Sequence, residues 1–133
     1  MADTMQFDLV SPEKRLASLA AREVRIPGAD GDMTAMPDHA PVITTLRPGI
    51  LTVVGADGAS QSFAVTGGFA EIGTGGASVL AEKAMPAGDV SASVIEALIA
   101  DAQAQAAEAP AEVKDAAEKV VADMQALRGA LGV

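Results

Sequence analysis

A chain of 133 residues with 9 basic and 18 acidic side chains, net charge −9, can bury one modest core and is too acidic to bind a nucleic-acid backbone or an anionic lipid surface. Zero cysteines exclude disulfides, thiolate catalysis and the common structural zinc sites together. No run nears the roughly 20 apolar residues that span a bilayer, and residues 1–6 lack the basic-then-apolar order of a secretory signal, so no direct membrane insertion is expected. With three Phe and no Trp or Tyr, packing must rest on Val, Ile, Leu and Met.

From residue 5 onward the signals have a period of two. Met5, Phe7 and Leu9 alternate with Gln6 and Asp8, which sets three apolar side chains on one face of a strand. Glu23-Val24-Arg25-Ile26 repeats the alternation and stops at the turn pair Pro27-Gly28. Residues 28–51 then read as a rigid presented loop, because Pro37 and Pro41 flank His39 and each proline restricts its own φ and its predecessor. Residues 50–54 and 61–66, on either side of Gly55-Ala56-Asp57-Gly58, predict a hairpin. Residues 69–72 and 77–82 predict two more strands, with glycines 73, 75 and 76 between them. Short strands joined by glycine turns imply a β-sandwich, a flattened barrel of antiparallel strands, over residues 1–86.

Beyond Met85-Pro86-Ala87-Gly88 the period changes to about 3.6. Val90, Val94, Ile95, Leu98, Ile99 and Ala102 share a stripe, while Glu96, Asp101 and Gln105 face away. Ala109-Pro110 ends that helix. Val113, Ala117, Val120, Val121, Met124, Leu127 and Leu131 give a second one its own stripe. Residues 89–133 are therefore expected as an antiparallel two-helix hairpin, an α+β chain overall. Its alanine-rich contacts are thin, so its stability should depend on what it lies against.

Candidate chemistry is sparse. Asp38-His39 suggests a base and its orienter, but neighbours in an extended segment point to opposite sides, and no serine elbow or cysteine supplies a nucleophile. Asp30-Gly31-Asp32 lacks the later oxygens of a calcium loop and reads as a turn. Gly73-Thr74-Gly75-Gly76 joins two strands without opening a helix, as hairpin glycines do and a phosphate cradle does not. Met33 and Met36, in the proline-bounded segment, suit either packing or an adaptable protein contact. The charged residues Glu112, Lys114, Asp115, Glu118 and Lys119 read as a solvated helix face. No catalytic, cofactor or metal residue is expected. One reading is a free-standing module that holds a small ligand between a β-sandwich and a helical lid, although the lack of Trp and Tyr weighs against such a pocket.

A more specific reading comes from motifs in order: Leu9-Val10-Ser11-Pro12-Glu13, Gly28-Ala29-Asp30-Gly31, Pro37-Asp38-His39-Ala40-Pro41, Leu46-Arg47-Pro48-Gly49, Gly67-Gly68-Phe69 and Val79-Leu80-Ala81-Glu82. Their order and spacing resemble the epsilon subunit of the rotary, proton-translocating ATP synthase. The resemblance implies a central-stalk protein without catalytic residues, whose sandwich clamps the gamma subunit to the c-ring and so couples ring rotation to ATP synthesis. It implies a c-ring interface at Gly31, Asp32, Met33 and His39, and transient contact of the C-terminal helices with the alpha and beta subunits. It also implies a peripheral position on the cytoplasmic face of a bacterial inner membrane. Some family members bind ATP through Ile/Leu-Asp-x-x-Arg-Ala at the first helix. Here Val90-Ser91-Ala92-Ser93-Val94-Ile95 lacks both the acid and the arginine, so weak or absent ATP binding is expected. Inhibition of hydrolysis by the second helix has only Lys114, Lys119 and Arg128 to draw on. Whether the hairpin folds on the sandwich or extends along gamma stays open.

Overall fold

The inward set of alternating residues organises the fold in the computed structural model, which describes residues 3–133. Met1 and Ala2, where the span 1–86 and the signal-free start were placed, lie outside the described residues. Strand β1 (Met5–Val10) buries Met5, Phe7 and Leu9 as the pattern requires. Strand β2 (Arg15–Gly28) is far longer than the four residues legible as a strand. Its first half pairs with β1 and its last five residues with β3 (Gly31–Ala35), while β5 (Gly49–Gly55) pairs across its middle. The register against β5 shifts between Ala21 and Glu23, a bulge that bends the strand and sharpens its twist. One strand thereby joins the β1 side of the sheet to the β3 side.

The remaining strands are β4 (Val42–Thr45), β6 (Ser60–Val65), β7 (Gly68–Ile72), β8 (Gly76–Ala81) and β9 (Ala84–Pro86). The β5–β6 and β7–β8 hairpins fall where the glycine turns predict them. The strand order is β4-β7-β8-β1-β2-β5-β6-β9 with β3 on β2, so the sheet does not close on itself. One pair departs from the expected all-antiparallel pattern: β1 and β8 run parallel. Parallel neighbours need a long connection, and the six strands between these two in the chain supply it.

Residues 28–51 are not one loop. They contain β3 and β4, and the prolines at 37, 41 and 48 all fall in connections, which leaves both short strands free to pair. Met33 and Ala35 turn toward the core, whose fully buried members include Phe7, Leu9, Val24, Leu51, Val53 and Val79. No polar or charged residue is buried among the described residues.

Helix α1 (Ala92–Glu108) starts at Ser91, whose hydroxyl accepts the Val94 N–H at 3.3 Å, and stops at Ala109-Pro110. A short 3-10 turn, Ala111–Val113, leads into α2 (Lys114–Leu131), which ends on Gly132 at φ 74°. Ile95, Ile99 and Ala102 meet Met124 and Leu127 in a second cluster. Three expected members of the second stripe stay outside it: Val113, the half-buried Ala117 and Val120. Val113 is 51% exposed because it sits in the 3-10 turn, out of phase with α2, and Val120 is 37% exposed at the rim of a cleft.

Candidate interaction surfaces

Each strand that sends one set of side chains inward sends the other outward, and the outer rows differ in what covers them. Across β5, β6 and β9, Ile50 pairs with Ala64 and Ala64 with Met85. The helical hairpin lies on this row: Ala64 is buried together with Val90, Ile95, Ile99 and Leu127, with Ile50 and Met85 packed at its margin. The helices are thus docked on the sheet.

Across β4, β7, β8 and β1 the corresponding row is Thr45, Phe69, Leu80 and Val10, linked pair by pair. None of the described residues covers it. Phe69 is 45% and Leu80 44% exposed, and together with Val10, Ser11 and Pro12 they line a shallow, open concavity of about 680 Å³. The next row, Ile43, Glu71, Ser78 and Asp8, adds an exposed isoleucine and two carboxylates. Gly68 is indispensable to this face. Its φ is +119°, and a Cβ there would stand 1.9 Å from the Leu80 carbonyl oxygen. Phe69 and Leu80 belong to the motifs quoted above, but alternation alone cannot say that an outward Phe or Leu lacks a cover, so sequence reasoning did not single them out as contact residues.

The four residues expected at a ring interface come from two elements, a strand and the turn that follows it. Gly31, Asp32 and Met33 open β3 at the tip of the β2–β3 hairpin, where Gly31 adopts φ +141° and alternation turns Met33 toward the core and Asp32 outward. Asp32 is ion-paired with Arg47. His39 lies past the other end of β3, four positions beyond its last residue Ala35. It sits in a turn closed by its own N–H to the Met36 carbonyl at 3.1 Å, with Asp38 at φ 66°. The segment is therefore a turn where an extended run was expected. Its imidazole Nδ1 donates to the Ala40 carbonyl at 2.6 Å, which engages that nitrogen locally.

Between the helices and the edge of the sheet lies a cleft of about 130 Å³ bordered by Thr66, Glu82, Lys83, Asp101 and Gln105. That is well under the roughly 300–1,000 Å³ of small-molecule pockets, and two carboxylates oppose one ammonium. The described residues hold no group of three or more His, Cys, Asp or Glu arranged to take a metal, and no helix among them is long and apolar enough to cross a membrane.

Comparison with known proteins adds a consistent set of relatives. Residues 4–87 match the family model described as ATP synthase, Delta/Epsilon chain, beta-sandwich domain. The chain is 58% identical over 132 residues to the ATP synthase epsilon chain of Fuscovulum blasticum, covering 99% of each. It is 58% identical to that of Rhodobacter capsulatus, covering 96% of each. Its fold is similar to a chain in the cryo-EM structure of the Euglena gracilis mitochondrial ATP synthase, OSCP/F1/c-ring, with TM-score 0.75 and 21% identity, over 98% of this chain and 83% of that one.

Proposed function

The chain belongs to the ATP synthase delta/epsilon chain family, and from that premise we propose that it works in the central stalk, coupling c-ring rotation to ATP synthesis by clamping gamma to the ring. It contributes no catalytic group of its own. The observation that carries this reading is the bare row of Phe69 and Leu80 on a sheet whose opposite row is already covered. A stiff sheet bearing an uncovered apolar row is built to seat a partner, and gamma is the partner we assign to it. The flanking Asp8 and Glu71 suit a basic segment on that partner.

Residues 1–86 form the coupling unit in this reading, and residues 89–133 a separate regulatory one that reaches the alpha and beta subunits transiently. The hairpin tip with Gly31, Asp32 and Met33 faces the polar loops of the ring, and His39 contacts the ring from the next turn. The protein is peripheral, held through the complex at the cytoplasmic face of a bacterial inner membrane. The acidic balance of the cleft and the replacement of the ATP motif by Val90-Ser91-Ala92-Ser93-Val94-Ile95 favour a hairpin that does not respond to ATP.

Leu80→Glu in the full-length chain tests the central claim. It should abolish copurification with gamma while leaving the fold intact, and normal gamma binding by this variant would refute the assignment. Asp32→Arg should loosen attachment to the ring and lower coupled synthesis. Deleting residues 89–133 should alter ATP hydrolysis by the assembled enzyme if the helices regulate it.

A further inference from the structure

We propose that Arg47 is the positioning residue of the ring-facing end, a clamp that holds the β2–β3 hairpin so that Asp32 is presented in one orientation, as half of an ion pair. The proposal rests on the reading of that hairpin as the ring contact.

Arg47 lies in the connection from β4 to β5, and its backbone is fixed from several directions. Its N–H donates to the Pro27 carbonyl at 3.0 Å, and the Leu46 N–H before it donates to Gly68 at 2.9 Å. The Ala29 N–H donates back to Thr45 at 2.8 Å. Two residues further on, Gly49 lies so near Pro27 that a Cβ there would stand 2.7 Å from the Pro27 Cβ. The connection and the base of the hairpin therefore form one unit.

From that anchored position the guanidinium reaches over the turn. Nη1 donates to the Gly28 carbonyl at 2.7 Å, and Nη2 donates to Asp32 Oδ1. Gly28 is the last residue of β2 and Asp32 the second of β3, so one planar group brackets the two-residue turn on both sides. The Arg47 side chain is 28% exposed and that of Asp32 78%. The better-packed partner thus restrains the freer one. A carboxylate on a free two-stranded tip would otherwise lose rotamer entropy each time it met a partner, and pre-orientation removes that cost. A lysine cannot replace the clamp, because a single ammonium lacks the two coplanar donors that span carbonyl and carboxylate together.

Two measurements test this. Amide hydrogen exchange on the full-length chain should show residues 29–32 exchanging roughly fivefold faster in Arg47→Met than in the wild type, with Arg47→Lys between them, since charge-assisted hydrogen bonds restrain local opening to about that extent. Unchanged core-strand exchange in the same spectra reports that each variant is folded. Affinity for synthase depleted of this chain is then compared for Asp32→Ala, Arg47→Met and the double variant. Each single change should weaken attachment by a similar factor and the pair should be no worse than either, because the two residues act as one unit. Unaltered tip exchange in Arg47→Met overturns the clamp itself. Unaltered attachment in all three variants overturns the ring-contact reading on which the proposal rests, and fully additive losses overturn the coupling between the two residues.

Discussion

The sheet carries two outer apolar rows of the same construction, and they meet opposite fates. Ile50, Ala64 and Met85 are roofed by the chain's own helices, whereas Thr45, Phe69, Leu80 and Val10 are left open. The difference lies in the cover. Ala64 is small enough for a helix to approach closely, and Ile95 and Leu127 are buried beside it. Phe69 and Leu80 project from a face that no following segment reaches. Burial of the first row stabilises the monomer, and any stabilisation from the second must come from a partner.

The largest expected effect strikes the backbone beneath the open row. Gly68→Ala forces a Cβ against the Leu80 carbonyl at a positive φ, and neither backbone can yield. A loss of about 3–5 kcal/mol in urea denaturation is expected, near the top of the range for single changes. If Gly68→Ala costs under about 1 kcal/mol, the close approach does not define this face. The covered row comes next. Ile95→Ala removes a side chain with no exposure, and a loss of about 2–4 kcal/mol should concentrate in the docking of the helices. Hydrogen exchange should then speed up in α1 and α2 and stay slow in β1 and β5. Uniform acceleration would mean that helices and sheet unfold as one unit.

Leu80→Glu draws the sharpest contrast, because it should split stability from binding. With Leu80 already 44% exposed, stability should move by no more than about 0.5 kcal/mol. Affinity for gamma should fall by about 2 kcal/mol or more, as at an interface anchor, read by titration calorimetry. A variant that lost both together would make Leu80 a core residue in disguise.

These contrasts also mark where the sequence could be read and where it could not. The period of two located β1, β5, β6, β7 and β8 within a residue or so, and the period of 3.6 broken at Pro110 located the helices. The first half of β2 escaped because Leu16-Ala17-Ser18-Leu19-Ala20-Ala21 neither alternates nor favours strand, and its conformation comes from pairing with β1. β3 and β4 were hidden by the prolines around them, which punctuate the connections and leave four- and five-residue strands intact. Asp32 was legible as an exposed acid at a turn. Its pairing with Arg47, fifteen positions away, was not, since no local pattern links a hairpin tip to a later connection. The open row was invisible for a related reason: alternation says which side chains face outward, and only topology says what lies over them.

The smallest expected effect separates packing from charge in the covered region. Glu96 follows Ile95 in α1, points the other way, and accepts from Arg128 Nη2 of α2 at 3.0 Å. Both partners are substantially exposed, at 57% and 39% of their side chains, so water screens the pair and orienting two long side chains offsets part of the gain. Glu96→Gln should therefore loosen the helices by about 0.2–1 kcal/mol, and the difference should shrink in about 1 M salt, where the Debye length is near 3 Å. Ile95→Ala should keep its full effect at any ionic strength, because apolar burial does not depend on screening. Exchange rates of the α1 amides, measured for both variants in low and high salt, decide the matter. If the Glu96 variant released the helices as far as the Ile95 variant did, an electrostatic latch would hold the hairpin on the sheet. Salt could then open it, and the second row would be only conditionally covered.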